Sequence, residues 1–170
     1  MKIVWIIIGV FFVLLIALLS IGFVSSKEFK GELVAEVDGS EEQVWKLLND
    51  IENLPSRRKE IVKIELLEQN PTAGYIKWKE YTDMGGYILF EVMEKNPPHR
   101  LVLNMKESTF GMTGIWVYEL NPADEGKTLV TISESSTLDN FMLRILFAFI
   151  GRDANLKEEV KLIKKDINFF

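Results

Sequence analysis

The strongest constraint on this chain is an uninterrupted apolar stretch near its N-terminus. Residues 3–24 read IVWIIIGVFFVLLIALLSIGFV, 22 positions without a charged side chain. As an α-helix rising about 1.5 Å per residue, the stretch would be roughly 33 Å long, enough for a hydrocarbon core of about 30 Å. A helix is required there because a bilayer offers no water to satisfy backbone polar groups. We therefore predict a membrane-spanning helix over residues 3–24.

Two other interpretations of the stretch stay open. A cleaved signal peptide would use Lys2 as its positive region and Ser20, Gly22 or Ser25-Ser26 as small residues near a cleavage site. A buried core helix is the other alternative. Secretory apolar cores usually have about 7–15 residues, so the length of this stretch favours an uncleaved anchor.

The flanks of the stretch bear on its orientation. Lys2 precedes it and Lys27 and Lys30 follow it closely, so the count of positive charges is nearly balanced and slightly favours a cytoplasmic domain. Signal anchors with short N-terminal tails most often keep that tail inside and export the domain on the other side of the helix. We therefore expect a single-pass membrane protein whose C-terminal domain lies on the external side of the plasma membrane.

Charge divides the chain into two parts. Lys2 is the only charged residue among the first 26, while the rest holds 19 of the 20 basic and all 25 acidic residues. We predict an anchor and linker over residues 1–26 and one acidic domain over residues 27–170. The chain has no cysteine and one histidine, His99, which excludes disulfides, thiol catalysis and zinc sites built from Cys or His. Without a dense run of Lys and Arg, we expect no nucleic-acid partner, and we expect no metal.

The acidic domain begins with strand and helix patterns and continues as a meander. Glu32–Val37 is predicted as a strand, and Ser40 with Gln43 forms a capping-box pattern for a short helix that ends near Pro55. After that the apolar period changes to two, with turn residues at short intervals. The further predicted strands are Val62–Glu68, Tyr75–Tyr81, Tyr87–Glu94, Arg100–Lys106, Gly114–Leu120 and Thr128–Glu134.

A strongly apolar helical pattern ends the chain. It extends over residues 138–167, with an interruption at Gly151-Arg-Asp153. An antiparallel sheet of seven strands needs a cover for one face, and only this last helix is long enough. The predicted fold class is therefore α+β, a curved seven-stranded antiparallel sheet wrapped around a long C-terminal helix and preceded by a transmembrane helix.

Several segments in this order resemble the helix-grip superfamily, also called SRPBCC. That superfamily contains START lipid-transfer domains, birch-pollen-allergen-like proteins and polyketide cyclase/dehydrase-like families. The resemblance covers about residues 32–167. The segments are VWKLLNDIENLP at 44–55, EKNPPHRL at 94–101, GIWVYEL at 114–120 with Gly126-Lys-Thr128, and NFMLR at 140–144 with Phe149-Ile-Gly151.

The resemblance implies an elongated, mostly apolar cavity between sheet and helix for a lipid, sterol-like or aromatic ligand, and no cofactor. It assigns no catalytic residue, because the polar groups that work in such cavities differ between branches. We expect a membrane-anchored, non-enzymatic domain that binds a lipid or another hydrophobic small molecule. One alternative is a polyketide cyclase/dehydrase-like enzyme that uses Glu80, Tyr118 or Tyr81. The other is a domain with a collapsed cavity that works through protein contacts.

Strand alternation predicts the candidate site. Glu80 shares a strand face with Trp78, and a carboxyl group in an apolar cavity would have a raised pKa suited to general acid or base catalysis. Glu80 is thus the candidate catalytic residue; the alternative is a solvated or ion-paired carboxylate. Arg57-Arg58-Lys59 is predicted as a solvated turn, with headgroup contact as the alternative. The predicted cavity-lining residues, for which a packed core is the alternative, are Trp78, Phe90, Leu103, Met105, Trp116, Tyr118, Phe141, Ile145 and Phe149.

Overall fold

An apolar N-terminal helix and an α+β domain make up the computed structural model, which describes residues 2–70, 72, 74–124 and 126–169. The helix α1 (Lys2–Val24) matches the prediction for residues 3–24, and nearly all of its side chains are exposed. Within the described residues, α1 is the one helix long and apolar enough to cross a membrane, and a signal sequence would share these properties.

In the described part of the chain, seven antiparallel strands form one curved sheet. Its order is β1-β7-β6-β5-β4-β3-β2, so the first strand pairs with the last. From β2 to β7, each strand forms an antiparallel hairpin with the next strand in the sequence. Gly85 and Gly86 close the β3–β4 turn with φ values of 81° and 82°, which glycine adopts without a steric penalty. The strands are β1 (Glu28–Asp38), β2 (Ile61–Asn70), β3 (Gly74–Thr82), β4 (Tyr87–Asn96), β5 (Arg100–Ser108), β6 (Met112–Pro122) and β7 (Lys127–Leu138).

Short helices bridge β1 and β2. The first, α2 (Glu41–Asn49), begins with the predicted capping box: the Gln43 backbone N–H donates to Ser40 Oγ at 3.3 Å, and the Ser40 N–H donates to Gln43 Oε1 at 2.8 Å. A single turn, α3 (Leu54–Arg57), follows and places Pro55 inside its first turn. Both helices lie along the route from one edge of the sheet to the other.

Two helices, α4 (Phe141–Ile150) and α5 (Ala154–Asp166), follow β7, and a 3₁₀ turn (Ile167–Phe169) ends the described chain. The C-terminal helix predicted as one long element is therefore divided. The break is at Gly151, whose φ of 99° lies in a region that glycine adopts without the steric penalty of other residues. As a result the two halves differ in their main partners: α5 packs on β1, β7 and α2, whereas α4 packs on α1 and β7.

The core lies between the sheet, α2 and α5. Val44 of α2, Ile132 of β7 and Leu156 and Ile163 of α5 are each at most 1% exposed. Period-two burial along β7 places its alternate side chains on this inner face. The arrangement has the predicted α+β class, with α5 as the helix that the sheet surrounds.

Candidate ligand-binding cavity

A small cavity opens between the inner face of the sheet and the helices α2, α3 and α5. Its volume is about 110 Å³. Eleven apolar side chains and Tyr118 form most of its wall, and four charged side chains form the rest. The lining residues are Leu47, Leu48, Ile51, Leu54, Arg57, Arg58, Trp78, Glu80, Phe90, Leu101, Leu103, Met105, Trp116, Tyr118, Glu159 and Ile163.

The strand residues predicted to line a cavity are brought together here. Six of them border this space: Trp78, Phe90, Leu103, Met105, Trp116 and Tyr118. Residues of α2, α3 and α5 complete the wall. Alternation along a strand does not predict them, because it says nothing about which helix crosses the sheet.

The structure does not bring Phe141, Ile145 and Phe149 to this cavity, and that part of the predicted lining is corrected. All three belong to α4, which packs on α1 and β7 and is separated by the break at Gly151 from α5, the helix that borders the cavity. Phe141 packs on Phe23 of α1 with ring centroids 5.1 Å apart, and Phe149 is 66% exposed.

Large aromatic side chains keep the cavity small. The rings of Trp78 and Phe90, from neighbouring strands, stack with centroids 5.6 Å apart and an interplanar angle of 24°. The resulting volume is below the ~300 Å³ at the lower end of sites for drug-sized ligands. An apolar cavity of about 150 Å³ is known to accept benzene, so this space suits a comparably small apolar group.

Glu80 places a carboxyl group on the wall of this apolar space. Trp78 Nε1 donates a hydrogen bond to Glu80 Oε1 at 2.9 Å. Burial raises the pKa of Glu80 to about 7, although the Trp78 hydrogen bond and the positive charge of Arg58 both act to lower it. Near neutral pH the group therefore exists in both forms, and it can accept a hydrogen bond from a ligand or donate one to it.

A buried ion pair flanks Glu80 in the wall. Arg58 of the α3–β2 connection donates two hydrogen bonds to Glu159 of α5, at 3.0 and 3.1 Å, in the bidentate geometry that favours Arg–carboxylate pairs. Tyr118 Oη donates a hydrogen bond to Glu159 Oε1 at 3.3 Å. The pKa of this phenol is raised well above its ordinary value, and burial is the largest cause. Burial alone would lower the pKa of Arg58, but Glu159 raises it overall, so the guanidinium stays charged.

The segment Arg57-Arg58-Lys59 is not the solvated turn predicted from its sequence. Arg57 is 6% exposed and donates hydrogen bonds to the Asp50 carboxylate and to the Asp50 backbone carbonyl. The Asp166 carboxylate, 1% exposed, lies 3.7 Å from Nε of both Arg57 and Arg58. Acids from the end of α2 and from α5 thus neutralise two of the three basic residues, which local sequence cannot reveal.

The remaining polar candidate, Tyr81, and the single histidine both lie outside the cavity. Tyr81 Oη donates to Glu65 at 2.6 Å on the outer side of β3, away from the cavity lining. His99 is exposed and has its Nδ1 3.1 Å from a Glu41 carboxylate oxygen. Among the residues that the structure describes, no group of three or more His, Cys, Asp or Glu side chains could hold a metal ion.

Residues 28–158 match the family described as polyketide cyclase / dehydrase and lipid transport. The chain belongs to this family. Membership in the polyketide cyclase / dehydrase and lipid transport family confirms the helix-grip resemblance seen in the sequence and supports a domain for hydrophobic ligands. No curated protein matches the chain.

Solved structures with the same fold include proteins of different kinds. A START superfamily protein from Mycobacterium smegmatis has a TM-score of 0.67 at 13% identity, covering 82% of this chain and 97% of that one. A conserved protein from Geobacillus kaustophilus has a TM-score of 0.68 at 23% identity, covering 83% and 96%. The Zhui aromatase/cyclase from Streptomyces sp. R1128 has a TM-score of 0.66 at 12% identity, covering 83% and 94%. These similarities confirm the predicted fold.

Proposed function

We propose that this protein is a membrane-tethered domain that binds a small hydrophobic molecule in the cavity between the sheet and α5. The observation that carries this proposal is an apolar cavity with a carboxyl group, Glu80, in its wall. A ligand that fits both features has a compact apolar body and one hydrogen-bonding group. An intact lipid exceeds about 110 Å³ and would enter only with one end unless the cavity expands.

The tether is the second part of the proposal, and its support is the composition of α1. The helix has 23 residues without acidic side chains, and its only charged residue is Lys2 at the first position. Trp5 near the same end suits the membrane–water interface. A tether of this kind holds the cavity beside the bilayer, where hydrophobic molecules are concentrated.

Ligand occupancy is tested by filling the cavity from within. We expect the full chain, purified in two unrelated detergents, to yield the same small hydrophobic molecule on organic extraction and mass spectrometry. The Leu103→Phe variant should retain about tenfold less of it, because the larger ring takes up space that the ligand fills; a factor of ten corresponds to about 1.4 kcal/mol of binding free energy. Leu103 lines the cavity and is 8% exposed.

The matched control is Leu129→Phe on β7, at a position that is 37% exposed and outside the cavity lining. It should retain the molecule fully. Equal retention by Leu103→Phe would place the ligand elsewhere. If neither detergent preparation of the unmodified chain holds a molecule, the ligand proposal is wrong.

Retention of α1 is tested by the mass of the protein itself. We expect chains isolated from washed membranes to keep residues 1–24, because the apolar stretch exceeds the usual length of a cleaved secretory core. Intact-mass measurement checks this directly. A mature chain that begins after residue 20, 22 or 26 would identify the stretch as a signal peptide and remove the tether.

The small volume also favours a second candidate function, an interaction domain whose cavity is closed. In that case the stacked rings of Trp78 and Phe90 act as ordinary core, and no molecule is extracted from the protein. Enzymatic use of Glu80 is a third candidate: it requires turnover of a small apolar substrate that is lost in Glu80→Gln with the fold intact.

A further inference from the structure

One face of α4 is an exposed apolar stripe. It consists of Met142, Leu146, Phe149 and Ile150, which are 64%, 47%, 66% and 54% exposed. Spacings of four, three and one residue place these side chains on one side of the helix. We call this set the α4 stripe. Four large apolar side chains on one short helix are unusual for a surface that faces only water.

The neighbouring side of α4 packs on the C-terminal end of α1. Gly22 is buried there, and a Cβ at this position would lie 2.6 Å from the Phe141 ring and 2.8 Å from Ile145 Cγ1. A larger residue at this position would require the Phe141 ring or the Ile145 side chain to move. Phe23 and Val24, which follow directly, are 78% and 87% exposed. The exposed apolar end of α1 therefore lies next to the helix that carries the α4 stripe.

The length and charge of α4 fit a helix that lies along a membrane. Its ten residues would extend roughly 15 Å, too short to cross a bilayer. Arg144 is its only charged residue, and the Arg144 guanidinium lies 5.5 Å from the Phe141 ring centroid. At its N-terminus, Asn140 Oδ1 accepts from the N–H groups of Met142 and Leu143, while Nδ2 donates to the Phe110 carbonyl. The cap thus fixes the start of α4 to the β5–β6 turn.

We propose that α4 is a second membrane-contacting element, whose stripe inserts into the acyl chains of the leaflet at which the C-terminal end of α1 lies. This inference rests on the tether proposed above. We assign lipid as the partner of the stripe because α4 lies against α1, and α1 is apolar and exposed on nearly all sides. The ion pair between Lys27 and Asp139, 3.5 Å apart and largely exposed, lies just after α1 and just before α4, where this proposal places the headgroups.

Two contacts with one leaflet would fix the orientation of the domain, which a single tether does not do. A lone helix followed by a short linker leaves a domain free to rotate, whereas α1 and α4 together hold the sheet at one angle to the bilayer. The sheet is attached directly to this pair, since β1 follows α1 and β7 precedes α4. The cavity is then presented to the membrane in a constant orientation.

The test uses single cysteines in the full chain, which has none of its own. Met142→Cys, Leu146→Cys and Phe149→Cys each receive an environment-sensitive fluorophore. Each variant is reconstituted into vesicles of phosphatidylcholine and phosphatidylglycerol, with and without bromine on the acyl chains. Val13→Cys in α1 is the positive control, and Met93→Cys in β4, at a methionine that is 61% exposed, is the matched negative control. Unchanged thermal unfolding of each variant verifies the fold.

We expect brominated lipid to quench the three α4 labels and the Val13 label, and to leave the Met93 label unquenched. Quenching at Val13 alone would overturn the α4 inference while the tether stands. No quenching at Val13 would overturn the tether and the α4 inference together. Blue-shifted but unquenched α4 labels would mean that protein, a second copy or another chain, covers the stripe, and this too would overturn the inference.

Discussion

Replacing Arg58 with alanine is expected to destabilise the domain by about 3–5 kcal/mol, because it leaves buried carboxylates without their counter-charge. Glu159 loses both of its hydrogen bonds from the guanidinium, which are 3.0 and 3.1 Å long. The two side chains are only 17% and 13% exposed, so water cannot replace the lost partner fully. Asp166, 1% exposed and 3.7 Å from Arg58 Nε, loses a second source of positive charge.

Chemical denaturation of the full chain in detergent, followed by circular dichroism, measures this loss. The matched control is Lys161→Ala on the same helix, α5, which removes an ion pair with Glu158 whose side chains are 72% and 55% exposed. That substitution should cost at most about 1 kcal/mol. Equal effects of the two substitutions would mean that Arg58 and Glu159 are solvated in the folded protein.

The combination of Arg58→Met with Glu159→Leu separates charge from shape. Replacing both partners of a buried ion pair with apolar groups is often neutral or stabilising. We expect the double variant to recover much of the loss seen in Arg58→Ala, although Tyr118 and Asp166 then keep fewer partners. A double variant as unstable as Arg58→Ala would assign the effect to packing rather than to the unpaired charge.

This ion pair marks a limit of what the sequence can predict. Arg58 and Glu159 are 101 positions apart, and each lies in a locally polar stretch that is typical of solvent-exposed residues. Their burial depends on where α3 and α5 meet over the sheet. A positively charged run such as Arg57-Arg58-Lys59 cannot indicate which acid it meets, so its local pattern predicted a solvated turn.

The sheet was more predictable because each of its strands carries its own periodic signal. The six strands predicted after the short helices all occur, and the observed elements extend them by a few residues, as β6 (Met112–Pro122) does for Gly114–Leu120. Alternation also predicted that Trp78 and Glu80 share an inner face. Burial of one face imposes a period of two, and that period is visible without knowledge of any partner.

The position of α4 was not predictable, for the opposite reason. Its sequence, FMLRILFAFI, is apolar on most sides, so its pattern does not distinguish the sheet from another apolar helix as its partner. The partner of α4 depends on Gly151, because its positive φ changes the direction of the chain between α4 and α5. The interruption was visible in the sequence, but the direction of the turn was not. The volume of the cavity likewise depends on how Trp78 and Phe90 stack, which only three-dimensional packing determines.

Glu80 is expected to make the domain less stable as pH rises. Burial raises the pKa of its carboxyl group from the ordinary 4.5 to about 7 in the folded protein. Between these values the folded state binds more protons than the unfolded state, so the free energy of unfolding falls as pH increases. With about 1.4 kcal/mol per pKa unit, the loss amounts to about 3 kcal/mol once pH exceeds 7. Below the ordinary pKa the group is protonated in both states and contributes no difference.

The substitution Glu80→Gln isolates this contribution, because the amide keeps an oxygen for the hydrogen bond from Trp78 Nε1 but does not titrate. The variant and the parent should be about equally stable at low pH, and the variant should be more stable by about 3 kcal/mol at about pH 8. Denaturation across this range, with Glu68→Gln on the exposed part of β2 as control, measures the difference. A parent that stays as stable as Glu80→Gln above pH 7 would show that Arg58 stabilises an ionised Glu80. In that case the cavity would offer its ligand a permanent carboxylate, and the preferred ligand would be a cation or a strong hydrogen-bond donor rather than a neutral apolar molecule.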